Sequence, residues 1–166
     1  MSRPPPLAEL ENILRLLVAE HRKLLAHVEA QQSAMRAMDL AALDAAMNQQ
    51  EAARLRIATI ENRRRAAVVQ IARAARIDPN GLTLTKLATL YPAQGQPLLL
   101  LRDELKEVAA QIGKRTQVSG RLAGALLGHL NTVVRLLAGA VEKAGLYSKH
   151  GVPQVSSRIG VMEAVG

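Results

Sequence analysis

The first forty residues place apolar side chains in alternating steps of three and four. His21 and Gln31 are the two polar interruptions of this series. A heptad seam of this kind indicates a helix packed along another helix. We therefore predict a first helix over about residues 7–36. The apolar members of the seam are Leu7, Leu10, Leu14, Leu17, Leu24, Val28, Met35 and Met38.

A second helix is predicted over about residues 40–76. Asp39 is a favoured N-cap residue, because its carboxylate accepts the unpaired amide hydrogens of a helix start. The sequence Asp78-Pro79-Asn80-Gly81 is typical of a turn and should follow the end of this helix. The positions expected to face the core are Leu43, Met47, Ile57, Ile60, Val68 and Ile71.

A short helix is predicted over about residues 84–90 and a long one over about 97–146, after a loop that ends at Pro97. Residues 147–166 have no sustained period and are expected to form a flexible C-terminal tail. The apolar positions of the long helix recur with helical spacing: Leu98, Leu101, Leu105, Val108, Ile112, Leu122, Leu126, Val133, Leu136 and Val141.

Composition supports an all-α fold. Ala, Leu and Val dominate the apolar residues, Phe and Trp are absent, and Tyr91 and Tyr147 are the two aromatic residues. Strands favour aromatic and β-branched residues, so helix packing suits this composition better. We predict an antiparallel, coiled-coil-like bundle of three long helices and one short helix over residues 1–146, followed by the tail.

The chain carries a net charge of +8, and its second helix is rich in arginine, including Arg63-Arg64-Arg65. A solvated helix face is the usual explanation of such a run. Nucleic-acid recognition would gain support from interleaved aromatic residues, which are absent near these arginines. Nucleic acid is therefore not the expected partner, although a basic bundle that binds it stays an alternative.

No pattern of catalytic chemistry is recognisable. The chain has no Cys, its four histidines include no pair at i and i+4, and no phosphate-binding glycine loop appears. His21 and His129 are expected on partly buried helical seams. We predict no enzymatic activity, no cofactor and no metal site.

Gly120, Gly124 and Gly128 recur at four-residue spacing in the long helix, where each glycine costs about 1 kcal/mol relative to alanine. One interpretation is close packing against a neighbouring helix. The other is an adaptable helix that lays its apolar flanks against a helix of a client protein. Those flanks, the candidate client-binding residues, are Leu122, Leu126, Leu127, Leu130, Val133 and Leu137.

Three segments carry a resemblance to the FlgN family of flagellar export chaperones. The segment 10–25 resembles the opening helix of the family, and Met38-Asp-Leu-Ala-Ala-Leu43 with Gln50-Glu51 is similar to its turn and second helix start. Gly145-Leu-Tyr-Ser-Lys-His-Gly151 resembles an element with a tyrosine and a glycine that follows the last helix. The chain departs from the family in its enrichment in Ala and Arg and in its positive charge.

The resemblance implies a cytoplasmic chaperone that binds the C-terminal helical regions of hook-filament junction proteins and prevents their premature association. It implies delivery of these clients to the flagellar type III export apparatus, with export-gate and ATPase-complex proteins as partners. By the same resemblance Tyr147 contacts the export-gate protein. The alternative for Tyr147 is a ring packed over the helix end.

The longest charge-free stretch of the last helix, 122–134, is shorter than the ~20 residues that a membrane span needs. No secretion signal is recognisable at the N-terminus, so the cytoplasm is the expected location. A self-associating structural coiled coil is a further alternative, and a homodimer is left open.

Overall fold

A computed structural model describes the backbone of residues 5–146 and the side chains of residues 7–142. The described chain is an all-α helical bundle, as the sequence predicts. Its four helices and one 3-10 turn are, in order, α1 (Pro5–Ala37), α2 (Leu40–Ala75), the turn Pro79–Gly81, α3 (Leu84–Leu90) and α4 (Pro92–Leu146). The flexible tail expected over residues 147–166 lies outside the described residues.

A two-residue turn joins α1 to α2 where the sequence predicts it. Met38 adopts a left-handed conformation with φ of 54°, and the amide of Asp39 then donates to the carbonyl of Ala34 at 3.0 Å. The Asp39 carboxylate accepts from the amide of Ala42 at 3.0 Å, which confirms its role as N-cap. This turn reverses the chain and sends α2 back along α1.

Contacts within residues 5–122 define the directions of the helices. Arg56 of α2 pairs with Glu20 of α1, and Gln50 of α2 donates to the His27 carbonyl, so α1 and α2 are antiparallel. Gln32 donates to the carbonyl of Arg115, and Arg22 pairs with Glu104, so the first part of α4 runs parallel to α1. The three long helices of this part of the chain therefore alternate in direction.

The main apolar core lies at the end of this bundle that contains the start of α1, where α3 covers it. The fully buried Leu10, Ile13 and Leu87 show that α1 and α3 both contribute. Burying a leucine or isoleucine stabilises the fold by about 1.5–3 kcal/mol. The core residues are Leu7, Leu10, Ile13, Leu14, Leu17, Val18, Ala67, Ile71, Ala72, Leu82, Leu87, Leu98 and Leu101.

The predicted core face of α2 is partly wrong. Met47 is 53% exposed, and among the expected positions only Ile71 is fully buried. Ala46, Ala53, Ala67 and Ala72 are buried in their place. The small alanine side chains occupy the contact with the neighbouring helices, while the larger residues pack at its edges.

The core becomes polar towards the end of α1. Leu24, Val28 and Ala53 form a small apolar cluster, and beyond it lie buried amides. The Gln32 side chain, 1% exposed, donates from Nε2 to the Arg115 carbonyl at 2.7 Å and to Ser119 Oγ at 3.2 Å. These hydrogen bonds satisfy buried polar atoms and fix the register of α1 against α4.

Helix α4 begins at Pro92 rather than near Pro97, the start that the sequence suggested. Proline is favoured at the first helical position, because the amide lost there has no partner within the helix. Pro97 lies in the second turn, where its missing N–H removes one helical hydrogen bond.

Two compact units divide the chain, residues 1–122 and residues 123–166, and the division falls inside α4. The one domain boundary predicted from the sequence lies at residue 146, between the bundle and the tail. The described part of the second unit is the helical segment 123–146.

Candidate protein-binding surface on α4

The helical segment of the second unit exposes an unusual number of large apolar side chains. The exposed fractions are 65% for Leu127, 62% for Leu137 and 70% for Val141. The other large exposed members are Leu130, Val133, Val134 and Leu136, while Leu126 is half-buried. We call the set of these eight residues the apolar surface of α4. Contiguous apolar surface of this kind marks interaction sites in soluble proteins.

Most of the apolar surface lies on one side of the helix. Successive residues advance by about 100°, so Leu126, Leu130 and Leu137 point in nearly the same direction. Gly124 and Gly128 lie on the opposite side, about 160° away. Arg135 is the one charged residue between 123 and 141, and it too lies on the glycine side. The apolar surface is therefore electrically neutral and suited to contacts with apolar side chains.

The positions where these glycines would carry side chains are open. A β-carbon placed on Gly120, Gly124 or Gly128 would meet no heavy atom within 4 Å in the part of the chain that the structure describes. Close packing among the described residues therefore does not explain the glycine spacing. Adaptability of this segment stays a prediction.

Five of the six candidate client-binding residues belong to the second unit. Leu122 is half-buried and belongs to the first unit, as does Gly120. The client-binding role of all six stays a prediction. Tyr147, the expected export-gate contact, lies outside the described residues.

Sequence reasoning did not select Val134, Leu136 and Val141 for the candidate site. Leu136 and Val141 recur with helical spacing in the sequence, and they are 69% and 70% exposed. Their regular spacing indicates a helix face, and spacing alone does not reveal whether a partner in the same chain covers that face.

The residues Pro92–Glu142 of α4 form the one helix in the described chain that is long and apolar enough to cross a membrane by length and composition. One such helix is weak evidence for a membrane span, since core helices of soluble proteins pass the same test of length and composition. Arg135 within the apolar stretch would cost about 3 kcal/mol at the centre of a bilayer.

Many arginines of α2 are held by carboxylates. Arg56 Nε donates to Glu20 at 2.8 Å, and Arg64 pairs with Glu61 at 2.6 Å. These hydrogen bonds lower the pKa of Glu20, through Arg56 first, and the pKa of Glu61, through Arg64 first. Much of the positive charge of α2 is therefore used in ion pairs within the bundle.

The described residues contain no group of His, Asp and Glu arranged to hold a metal ion. His21 is half-buried and hydrogen-bonds through Nδ1 to the Leu17 carbonyl at 2.7 Å, in line with a place on the α1 seam. His129 is exposed, contrary to expectation. The described part of the second unit is a single helical segment, so that unit offers no seam to bury the ring.

A helical bundle with an exposed, neutral, leucine-rich helix face has the features of helical proteins that bind other proteins. The chain itself belongs to the FlgN family, since the family model described as FlgN protein matches residues 1–154. Neither the curated proteins nor the solved structures gave a match. FlgN proteins are soluble flagellar chaperones and are not known as enzymes, so the function in general terms is that of a flagellar export chaperone.

Proposed function

We propose that this chain is a cytoplasmic chaperone that binds hook-filament junction proteins, keeps them from associating prematurely and delivers them to the flagellar type III export apparatus. Membership of the FlgN family supports the general role. The apolar surface of α4 supports the mode of binding.

The observation that carries the proposal is the exposure of Leu127, Leu130 and Leu137, at 65%, 53% and 62%. A free helix face of this kind fits an amphipathic helix, which recognises its partner through apolar side chains at spacings of three and four. The C-terminal helical regions of junction proteins are the proposed clients. A client segment that folds as it docks gives up ordering entropy, which moderates the affinity and allows later release.

The test replaces Leu127, Leu130 and Leu137 together by Gln in the full chain, co-expressed with junction proteins of the same organism. Glutamine is a good helix former, so the helix should persist. Losing about 1 kcal/mol of burial per side chain should weaken the complex about 100-fold. The matched control is Leu100→Gln, because Leu100 also lies on α4 and is 62% exposed, but in the first unit.

Binding by Leu100→Gln together with loss in the triple variant is the expected result. Equal binding by the triple variant and the unchanged chain would contradict the proposed surface. If the unchanged chain binds no junction protein, the proposed client class is wrong.

We further propose that Tyr147 contacts the export-gate protein when the client is delivered, as the family resemblance implies. Replacing Tyr147 by Ala should reduce export of the client while client binding in a pull-down stays unchanged. The conservative variant Tyr147→Phe keeps the ring and distinguishes a ring contact from a hydroxyl contact. Unchanged export of the client by Tyr147→Ala would remove this role.

A further inference from the structure

The outer side of the α1–α2 pair carries an open apolar furrow that lies in the first unit and is separate from the apolar surface of α4. The furrow is lined by Leu16 of α1 and by Leu55, Arg56, Thr59, Ile60 and Arg63 of α2. Leu16 is 44% exposed and Leu55 is 62% exposed. These two leucines flank the half-buried Ile60 and form a small hydrophobic strip at the surface.

The furrow lies on a side of α1 that the first-unit part of α4, residues 92–122, does not cover. Arg22 and Glu29 contact α4, and Leu16 lies about 120–140° around the helix from them. Among the described residues of the first unit, the furrow is therefore open along the two antiparallel helices. A further helix can pack there, because the rows of side chains on a helix fit the groove between two others.

Two arginines, Arg56 and Arg63, line the furrow, and no described carboxylate does. Both belong to the arginine-rich stretch of α2, residues 52–76, which holds seven arginines and a single carboxylate, Glu61. Arg56 is anchored by Glu20, whose other oxygen accepts from Lys23 at 2.7 Å. Arg63 is exposed, and no carboxylate of the described residues lies within 4.0 Å of it.

We propose that this furrow docks an amphipathic helix of a protein partner, with leucine-like side chains on Leu16, Leu55 and Ile60 and a carboxylate on Arg63. The carboxylates on the flank of the partner helix would pair with the arginines of the furrow. The apolar face of the partner helix would pack on Leu16, Leu55 and Ile60. Nucleic acid fits less well, because phosphate would gain nothing from the apolar floor and no aromatic ring of the described residues lines the furrow for base stacking.

The pairing of Arg63 with a partner carboxylate would steer the approach of the helix, whereas burial of Leu55 would hold it in place. Both contributions come from residues that are exposed in the free chain. Substituting them should therefore leave the bundle intact.

The experiment measures binding of two fluorescent peptides to the full chain by anisotropy. The acidic peptide has about 20 residues, enough to form a helix, with leucines on one face and glutamates beside them. The basic peptide has lysine at each glutamate position. We expect the acidic peptide to bind more tightly than the basic one, and Leu55→Gln and Arg63→Glu each to weaken its binding about tenfold.

Two controls locate the effect. Arg73→Glu makes the same change of charge at another exposed arginine of α2, outside the furrow, and should change binding less than about twofold. Leu100→Gln changes an exposed leucine of α4 that lies in the first unit outside the furrow, and it should have no effect. The basic peptide should bind Arg63→Glu better than it binds the unchanged chain. Helical circular dichroism checks that each variant is folded.

Equal binding of both peptides, or loss of binding on Leu100→Gln in place of Leu55→Gln, would overturn the proposal. An equal loss in Arg73→Glu and Arg63→Glu would also overturn it, since it would indicate a general charge effect. Tight binding of a DNA duplex of about 20 base pairs without binding of the acidic peptide would assign the charge to nucleic acid instead, with a steep dependence on salt.

Discussion

Replacing Gly95 by alanine tests the packing of α3 against the start of α4. Gly95 is a buried residue in the first turn of α4. A β-carbon at this position would lie 2.4 Å from the Cα of Ala88 and 2.5 Å from its Cβ, with the Ala88 carbonyl oxygen at 3.0 Å. Ordinary contacts between carbon atoms are about 3.5–4.0 Å, so α3 and α4 would have to separate by about 1 Å.

The expected magnitude is the balance of two effects. Forcing an extra methyl group into a closely packed site costs about 1–3 kcal/mol, and Ala88 presents backbone atoms that cannot rotate away. Replacing glycine by alanine in a helix raises the free energy of unfolding by about 0.5–1 kcal/mol. We expect Gly95→Ala to lower the free energy of unfolding by about 1–2 kcal/mol.

Gly113→Ala is the matched control on the same helix. A β-carbon on Gly113 meets no described heavy atom within 4 Å, so this variant should raise the free energy of unfolding by about 0.5–1 kcal/mol. Urea denaturation followed by helical circular dichroism measures both variants. A Gly95→Ala protein as stable as the Gly113→Ala protein would refute the close approach of α3 to α4.

Two further predictions concern the polar contacts of α1. The hydrogen bond from Arg56 holds the pKa of Glu20 below its ordinary value of 4.5, so the stabilisation is present above that pH and is lost as the pH falls through the lowered pKa. Glu20→Gln should cost about 1 kcal/mol at pH 7 and progressively less in acid, and a loss independent of pH in denaturation curves would contradict this pair. Gln32→Ala should cost about 2–3 kcal/mol, whereas Gln32→Leu, which keeps the volume, should cost less. Equal losses in urea denaturation would assign the role of Gln32 to its hydrogen bond with the Arg115 carbonyl rather than to filling space.

The sequence predicted the fold class, the seam of α1 and the turn at Asp39 because each rests on local chemistry. The period of Leu10, Leu14 and Leu17 defines a buried face, and the Asp39 carboxylate requires only a nearby amide. The core face of α2 was harder to predict. Hydrophobicity ranked Met47 above Ala53, but the close contact between helices selects the smaller side chain.

The candidate site could be predicted only in part for a related reason. Periodicity placed Leu126, Leu130 and Leu137 on one helix face, but a periodic face looks the same whether another helix of the chain covers it or not. Exposure of Leu136 and Val141 became evident from the structure alone. The furrow beside Leu55 depends on side chains of two helices, which no single stretch of sequence brings together.

Hydrogen exchange of the full chain, with and without a junction protein of the same organism, tests whether the apolar surface of α4 is the client-binding site. We predict that amides of residues 123–142 exchange fast in the free chain, because they belong to a single exposed helical segment. Addition of the junction protein should then slow their exchange more than that of any other described helix. Complex formation that leaves exchange at 123–142 unchanged would contradict the assignment of client binding to the apolar surface of α4.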